Sequence, residues 1–114
     1  MAKIYIAGKI TGLDEAEAYE LFLAAENLLT HLGHTPLNPM KLVDQTPGRE
    51  YMEQLLDALR IVTSEAEGVY FMSNWHDSWG AIKELEFAKH ESIPVYFEGS
   101  ELPTGCDWPE PKER

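Results

Sequence analysis

The chain has 114 residues, 44% hydrophobic and 25% charged, with a net charge of −11 and one cysteine. That length supports one domain around a single core, and the composition is that of a folded chain rather than a disordered one. The acidity excludes a nucleic-acid polymer as partner, no apolar run approaches the ~20 residues of a membrane-spanning helix, and the lone Cys106 excludes an internal disulfide framework.

Met1 to Ile6 enters a strand directly, without a secretory pattern; with the single thiol, this predicts a cytoplasmic protein. The first strand is the apolar run Ile4–Ala7, ending at Gly8. A first helix is predicted from Asp14 to about His31, with Asp14 as N-cap, Glu17 completing a capping box, and Phe22, Ala25, Leu28, Leu29 and Leu32 at helical spacing. Gly33 stands where a left-handed C-terminal cap is wanted. His34–Leu37 reads as a short second strand. The loop from Asn38 and Pro39 ends near Thr46 and Pro47, an N-cap with proline at the first helical position. Tyr51, Leu55, Ala58, Leu59 and Val62 mark the inward stripe of the second helix. Val69–Met72 is the third strand, Gly80–His90 the third helix with Ala81, Ile82, Leu85 and Ala88 inward, and Ile93–Phe97 the fourth strand. The segment 100–114 reads as an irregular tail to a domain of residues 1–99.

Strands alternating with helices predict an α/β fold: a doubly wound parallel sheet of four to five strands with helices on both faces. Such sheets bind ligands beyond the carboxyl ends of their strands, where the strand order reverses. Two loops qualify, Gly8-Lys9-Ile10-Thr11-Gly12 and Ser73 to Gly80. In the second, Trp75, Asp77 and Ser78 precede a helix opened by Gly80, whose first N–H groups suit an anionic or polar ligand. At about 100° per residue, Glu84 lies just off the inward stripe of that helix, placed for half-burial at the crevice mouth, whereas Glu86 faces solvent. Glu84 suits a catalytic carboxylate, or one that merely complements the helix dipole.

Other constellations carry less. His31, His34, His76 and His90 lack the spacing of a zinc site, and Cys106 has no base beside it. Gly8 to Gly12 is neither a dinucleotide fingerprint nor a phosphate-binding loop of the Walker type. Trp75 and Trp79 suit stacking on a nucleobase, but equally a core or a subunit interface.

Taken in order, Ile4-Tyr5-Ile6-Ala7-Gly8-Lys9-Ile10-Thr11-Gly12, the turn Gly33 to Pro39, Asp57, and Ser78-x-Gly80-Ala81-x-x-Glu84-x-x-x-Ala88 resemble the nucleoside 2-deoxyribosyltransferase superfamily, nearest its small bacterial and phage relatives. The resemblance runs from about Lys3 to Phe97. It implies a flavodoxin-like sheet and an enzyme that cleaves or exchanges N-glycosidic bonds through a covalent glycosyl-glutamate. It gives Glu84 the place of the nucleophile, Tyr5 that of the tyrosine bonded to it, and Asp57 that of an acid assisting at base or sugar. Where the transferases carry aspartate for the sugar hydroxyls this chain has Ser78, which resembles the branch that hydrolyses nucleoside 5′-monophosphates and holds the phosphate there. That branch also uses its first glycine loop, which here offers Gly8, Lys9 and Thr11; Asp77, beside Ser78, is placed to stand in for the absent aspartate.

The chemistry makes sense on its own terms. Breaking an N-glycosidic bond builds positive charge on the sugar, which a carboxylate stabilises or traps at C1′, while a second acid, Asp57 or Asp77, protonates the departing base. On the helical wheel Asp57 lies off the stripe, so it reaches the crevice beside Ile61 or else remains a solvated helix residue. The expectation is an enzyme on a small nucleoside or nucleotide, with no metal or other cofactor, no membrane and a homo-oligomeric state. The contrasting possibility is a catalytically silent nucleotide-binding module on the same fold.

Overall fold

The computed structural model describes residues 2–10, 12–42 and 51–100. Their elements run β1 (Lys3–Ala7), α1 (Glu15–His31), β2 (Thr35–Leu37), α2 (Pro39–Leu42), α3 (Tyr51–Ser64), β3 (Gly68–Phe71), α4 (Trp79–His90) and β4 (Val95–Phe97), with a 3₁₀ turn at Trp75–Asp77. Thr11, the Thr46–Pro47 helix start and the tail from residue 101, Cys106 included, lie outside the described residues, as do the side chains of Tyr51 and Leu55.

The sheet is parallel, in the order β2-β1-β3-β4. Tyr5 stands opposite Leu37 on one side and Val69 on the other, and Phe71 opposite Phe97. The chain winds outward from β1 to β2, then crosses back past β1 to β3, so the order reverses between β1 and β3. This is the flavodoxin-like, doubly wound arrangement. Pleating divides the core. Tyr5, Ala7, Val69 and Phe71 point to one face, under Ala58 and Val62 of α3 and Leu85 and Ala88 of α4. Ile4, Ile6, Tyr70 and Met72 point to the other, under Phe22, Ala25 and Leu29 of α1.

Local chemistry explains the ends. Helix α1 closes in a Schellman motif: His34 N–H donates to Leu29 O (2.9 Å) and Gly33 N–H to Thr30 O (3.0 Å), with Gly33 at φ +91°. At its start Asp14 takes the extended N-cap backbone, but its side chain makes no capping bond. The expected capping box is therefore absent. The Asp14 carbonyl accepts the first helical bond from Ala18, while the exposed carboxylate stays in water. Leu28, expected inside, is 43% exposed, because the helix meets the sheet through Ala18, Phe22, Ala25 and Leu29. The second and fourth strands are shorter than expected. Part of the expected loop is the single helical turn α2, which forms because Asn38 Oδ1 accepts the Met40 N–H (2.9 Å).

Candidate active site

The site assembles where β1 and β3 end. Tyr5 is buried at 2% exposure on β1, and Glu84, in the second turn of α4, is buried at 6%. The two side chains are hydrogen-bonded to each other. Burial lifts the Glu84 pKa from 4.5 to about 7, against the lowering effect of the Tyr5 hydroxyl. The same burial, with the Glu84 charge beside it, holds the Tyr5 phenol well above its ordinary value. Glu84 Oε2 is buried without a hydrogen-bond partner among the described residues. Glu84 is thus deeper than the half-burial expected from the helical wheel, because Tyr5 and the sheet close over it. Glu86, as expected, faces solvent, with Lys83 3.2 Å away.

Around this pair the two loops interlock. The Lys9 N–H donates to Asn74 Oδ1 (3.0 Å), tying the turn after β1 to the turn after β3. The turns approach closely at Gly8: an added Cβ would displace the Met72 methyl and stand 3.1 Å from Asn74 Oδ1. The Lys9 chain lies along Gly12, where a Cβ would be 4.0 Å from Nζ. Ser78 is the N-cap of α4, its Oγ accepting the Ala81 N–H at 3.2 Å. The Ser78 hydroxyl proton is not used in that bond. Gly80 is buried in the first turn that follows.

The remaining candidates lie differently. Trp75 packs against the core, its ring centroid 5.9 Å from Phe71 and 5.4 Å from Phe97. Trp79 is 52% exposed, with Lys83 Nζ 5.4 Å from its ring. Asp77 projects into solvent, 4.0 Å from His76. Asp57, about one-third exposed on α3, lies 3.8 Å from Arg60, while Ile61 one turn on packs against the core. Among the described residues no group of three or more His, Cys, Asp or Glu is placed to hold a metal ion. Sequence reasoning passed over Asn74. Its signal is modest: an amide between a buried strand and a tryptophan-led turn, facing a glycine on the neighbouring strand's turn.

The profile of a family described as "Domain of unknown function (DUF4406)" matches residues 2–97. No curated protein matches the sequence. A solved structure of a 2-deoxyribosyltransferase from the psychrotolerant bacterium Bacillus psychrosaccharolyticus superposes with a TM-score of 0.65 at 22% identity, covering 89% of this chain and 77% of its own. At that identity the likeness establishes the fold.

Proposed function

The chain belongs to the DUF4406 family, whose description assigns no activity, and we propose that it cleaves or transfers the N-glycosidic bond of a nucleoside or nucleoside 5′-monophosphate. One observation carries the reading: a buried carboxylate, Glu84, held by Tyr5 at the point where the strand order reverses, with its second oxygen unpartnered among the described residues. A glutamate kept only for stability gains little from such a place, since burying an ionisable group without full pairing is costly. The likeness in fold to a 2-deoxyribosyltransferase supports the same class.

In this mechanism the Glu84 carboxylate attacks C1′. The new C–O bond forms as the C1′–N bond breaks, and that electron pair leaves with the base. Asp57 or Asp77 supplies a proton to the base nitrogen. Water, or the N–H nitrogen of an acceptor base, then attacks C1′ as the C1′–O bond to Glu84 breaks, and its proton returns to the carboxylate that had protonated the leaving base. Tyr5 holds the carboxylate in position and favours its charged form. Positive charge growing on the sugar favours the same ionised form, offsetting the burial that raises its pKa.

The finer choice of substrate rests on Ser78 and Lys9. A phosphate dianion gains charge-assisted hydrogen bonds from a free hydroxyl proton, an ammonium and helix N-terminal N–H groups. Gly8 and Gly80 give backbone access on either side, Trp75 walls the crevice, and Thr11 and Asp77 complete the proposed contact set. We place this enzyme in the cytoplasm, working as a homo-oligomer without a cofactor.

The test is chromatography of nucleosides and 5′-monophosphates, with and without an acceptor base. Base released by the wild type and not by Glu84→Ala supports the assignment. Release by both removes Glu84 from the chemistry, and release by neither leaves a binding module. Calorimetry then addresses the phosphate: the monophosphate binds more tightly than its nucleoside, and Ser78→Ala narrows that gap. Equal binding of the two ligands returns the substrate to the free nucleoside.

A further inference from the structure

Helix α1 leaves an apolar flank uncovered. Leu21 and Leu28 are 40% and 43% exposed, and with the exposed Ala24 they recur at three- and four-residue spacing along one side of the helix. This flank faces a groove of about 290 Å³, bounded across from it by Tyr70, Met72 and Glu98. The sheet explains why the groove exists. Both α3 and α4 cover one face of the sheet, but on the other α1 is joined, among the described residues, only by Met40 of the single-turn α2. Over β4 on that face, Tyr96 remains partly exposed. Parallel sheets are ordinarily buried on both faces.

We propose that a second copy of this chain covers this surface, its α1 lying antiparallel beside the first in a two-fold symmetric dimer. A two-fold contact must be complementary to itself, and the flank has that property. Leu21 and Leu28 lie equally far on either side of the Ala24–Ala25 step, so an antiparallel neighbour sets Leu21 against the partner's Leu28 and alanine against alanine at the axis. Two alanines there let the helices approach closely. Charge agrees with the orientation. The acidic start of α1, with the exposed Glu17, meets the partner's exposed His31 at the far end, whereas a parallel arrangement would stack acid on acid. Each α1 would then pack on its own sheet over β1 and on the partner's over β3 and β4. This supplies the layer that each chain lacks.

Mass by light scattering and sedimentation at tens of micromolar tests the surface. The wild type is expected to be a dimer. Leu28→Glu and Leu21→Glu each raise the dissociation constant at least a hundredfold, with the circular dichroism of the folded chain retained because both positions are exposed, and with Tm lowered only by what dimerisation contributed. Leu56→Glu, at a 56% exposed leucine on α3, leaves the dimer intact. In a Cys106→Ser background, a short thiol crosslinker joins Ala24→Cys to itself and joins Leu21→Cys to Leu28→Cys in mixed samples. A monomeric wild type overturns the proposal. So does a dimer that survives both glutamate substitutions, or one dissolved by Leu56→Glu instead.

Discussion

At Glu84 two requirements of a carboxylate oppose each other: a nucleophile must be ionised, and burial resists ionisation. The folded value of about 7 lies above the ordinary 4.5, so the native state binds this proton more tightly than the unfolded chain does. The resulting penalty is absent below about pH 4.5, grows as pH rises towards 7, and is fully present above it, at about 3 kcal/mol. Glu84→Gln removes the ionisation. Denaturant melts should therefore show the variant gaining up to about 3 kcal/mol over wild type under alkaline conditions and nothing in acid. Activity carries the same proton with the opposite preference. If ionised Glu84 attacks C1′, kcat/KM rises with pH to a plateau above about 7. Tyr5→Phe deletes the hydroxyl that lowers this pKa, so the rising limb moves to higher pH and the plateau falls. A limb that stays in place in Tyr5→Phe would mean that the tyrosine does not tune the carboxylate.

Among the elements, the two long helices flanking the crevice end in the same way but with different residues. At the end of α4, Ile93 N–H donates to Ala88 O (2.9 Å) and Ser92 N–H to Lys89 O (3.2 Å), repeating the Schellman pattern that closes α1. The left-handed position is Gly33 in α1, at φ +91°, and Ser92 in α4, at φ +58°. A side chain at such a φ costs about 1–2 kcal/mol. Ser92→Gly should therefore stabilise the fold by about 1 kcal/mol, less the entropy glycine adds to the unfolded chain, and Gly33→Ala should destabilise it by about 1–2 kcal/mol. Thermal melts of the pair check both signs at once. The start of α4 is different, because Ser78 there serves structure and, in the proposed function, ligand together. Ser78→Ala loses a cap worth about 1 kcal/mol. The ratio of nucleotide to nucleoside affinity is thus the informative measure of its second role, since lost capping weakens both ligands alike.

For the whole molecule, the topology brings the chemistry together. Reversal of strand order between β1 and β3 leaves their carboxyl ends side by side, with no helix among the described residues covering them. There the Lys9–Asn74 bond closes one turn against the other, and Tyr5 reaches Glu84 beneath them. The far face of the sheet is the less complete one, and the exposed α1 flank lies along it. No helix among the described residues is long and apolar enough to cross a membrane.

Patterns that act between near neighbours were legible from the sequence alone. Alternating apolar runs and helical stripes gave the four strands, the parallel sheet and the two loops at its switch point. Spacing within α4 separated Glu84 from the solvated Glu86, and Gly33 marked the end of α1. The stripes and the Glu84–Glu86 separation follow from 3.6-residue or two-residue periodicity, the sheet from the alternation of elements, and Gly33 from its freedom to turn left-handed; none of these needs knowledge of the partner surface. Resemblance to a known superfamily pointed to Tyr5, which the fold sets against Glu84, and to Asp57, which lies one-third exposed beside Arg60. What only the tertiary structure decided is how deeply side chains lie and what they meet across the fold. Leu28 has the spacing of a core residue, yet lies on the flank that α1 turns away from the sheet. Trp75 shares its loop with the exposed Trp79, but it turns into the Phe71–Phe97 cluster. Asn74 gains its role from a turn brought alongside by β-pairing. The depth of Glu84, and with it the proton affinity on which the proposed chemistry depends, arises because β1 carries Tyr5 beneath a helix encoded far along the chain. Burial is a property of packed surfaces, and local periodicity specifies only which side of an element is available for it.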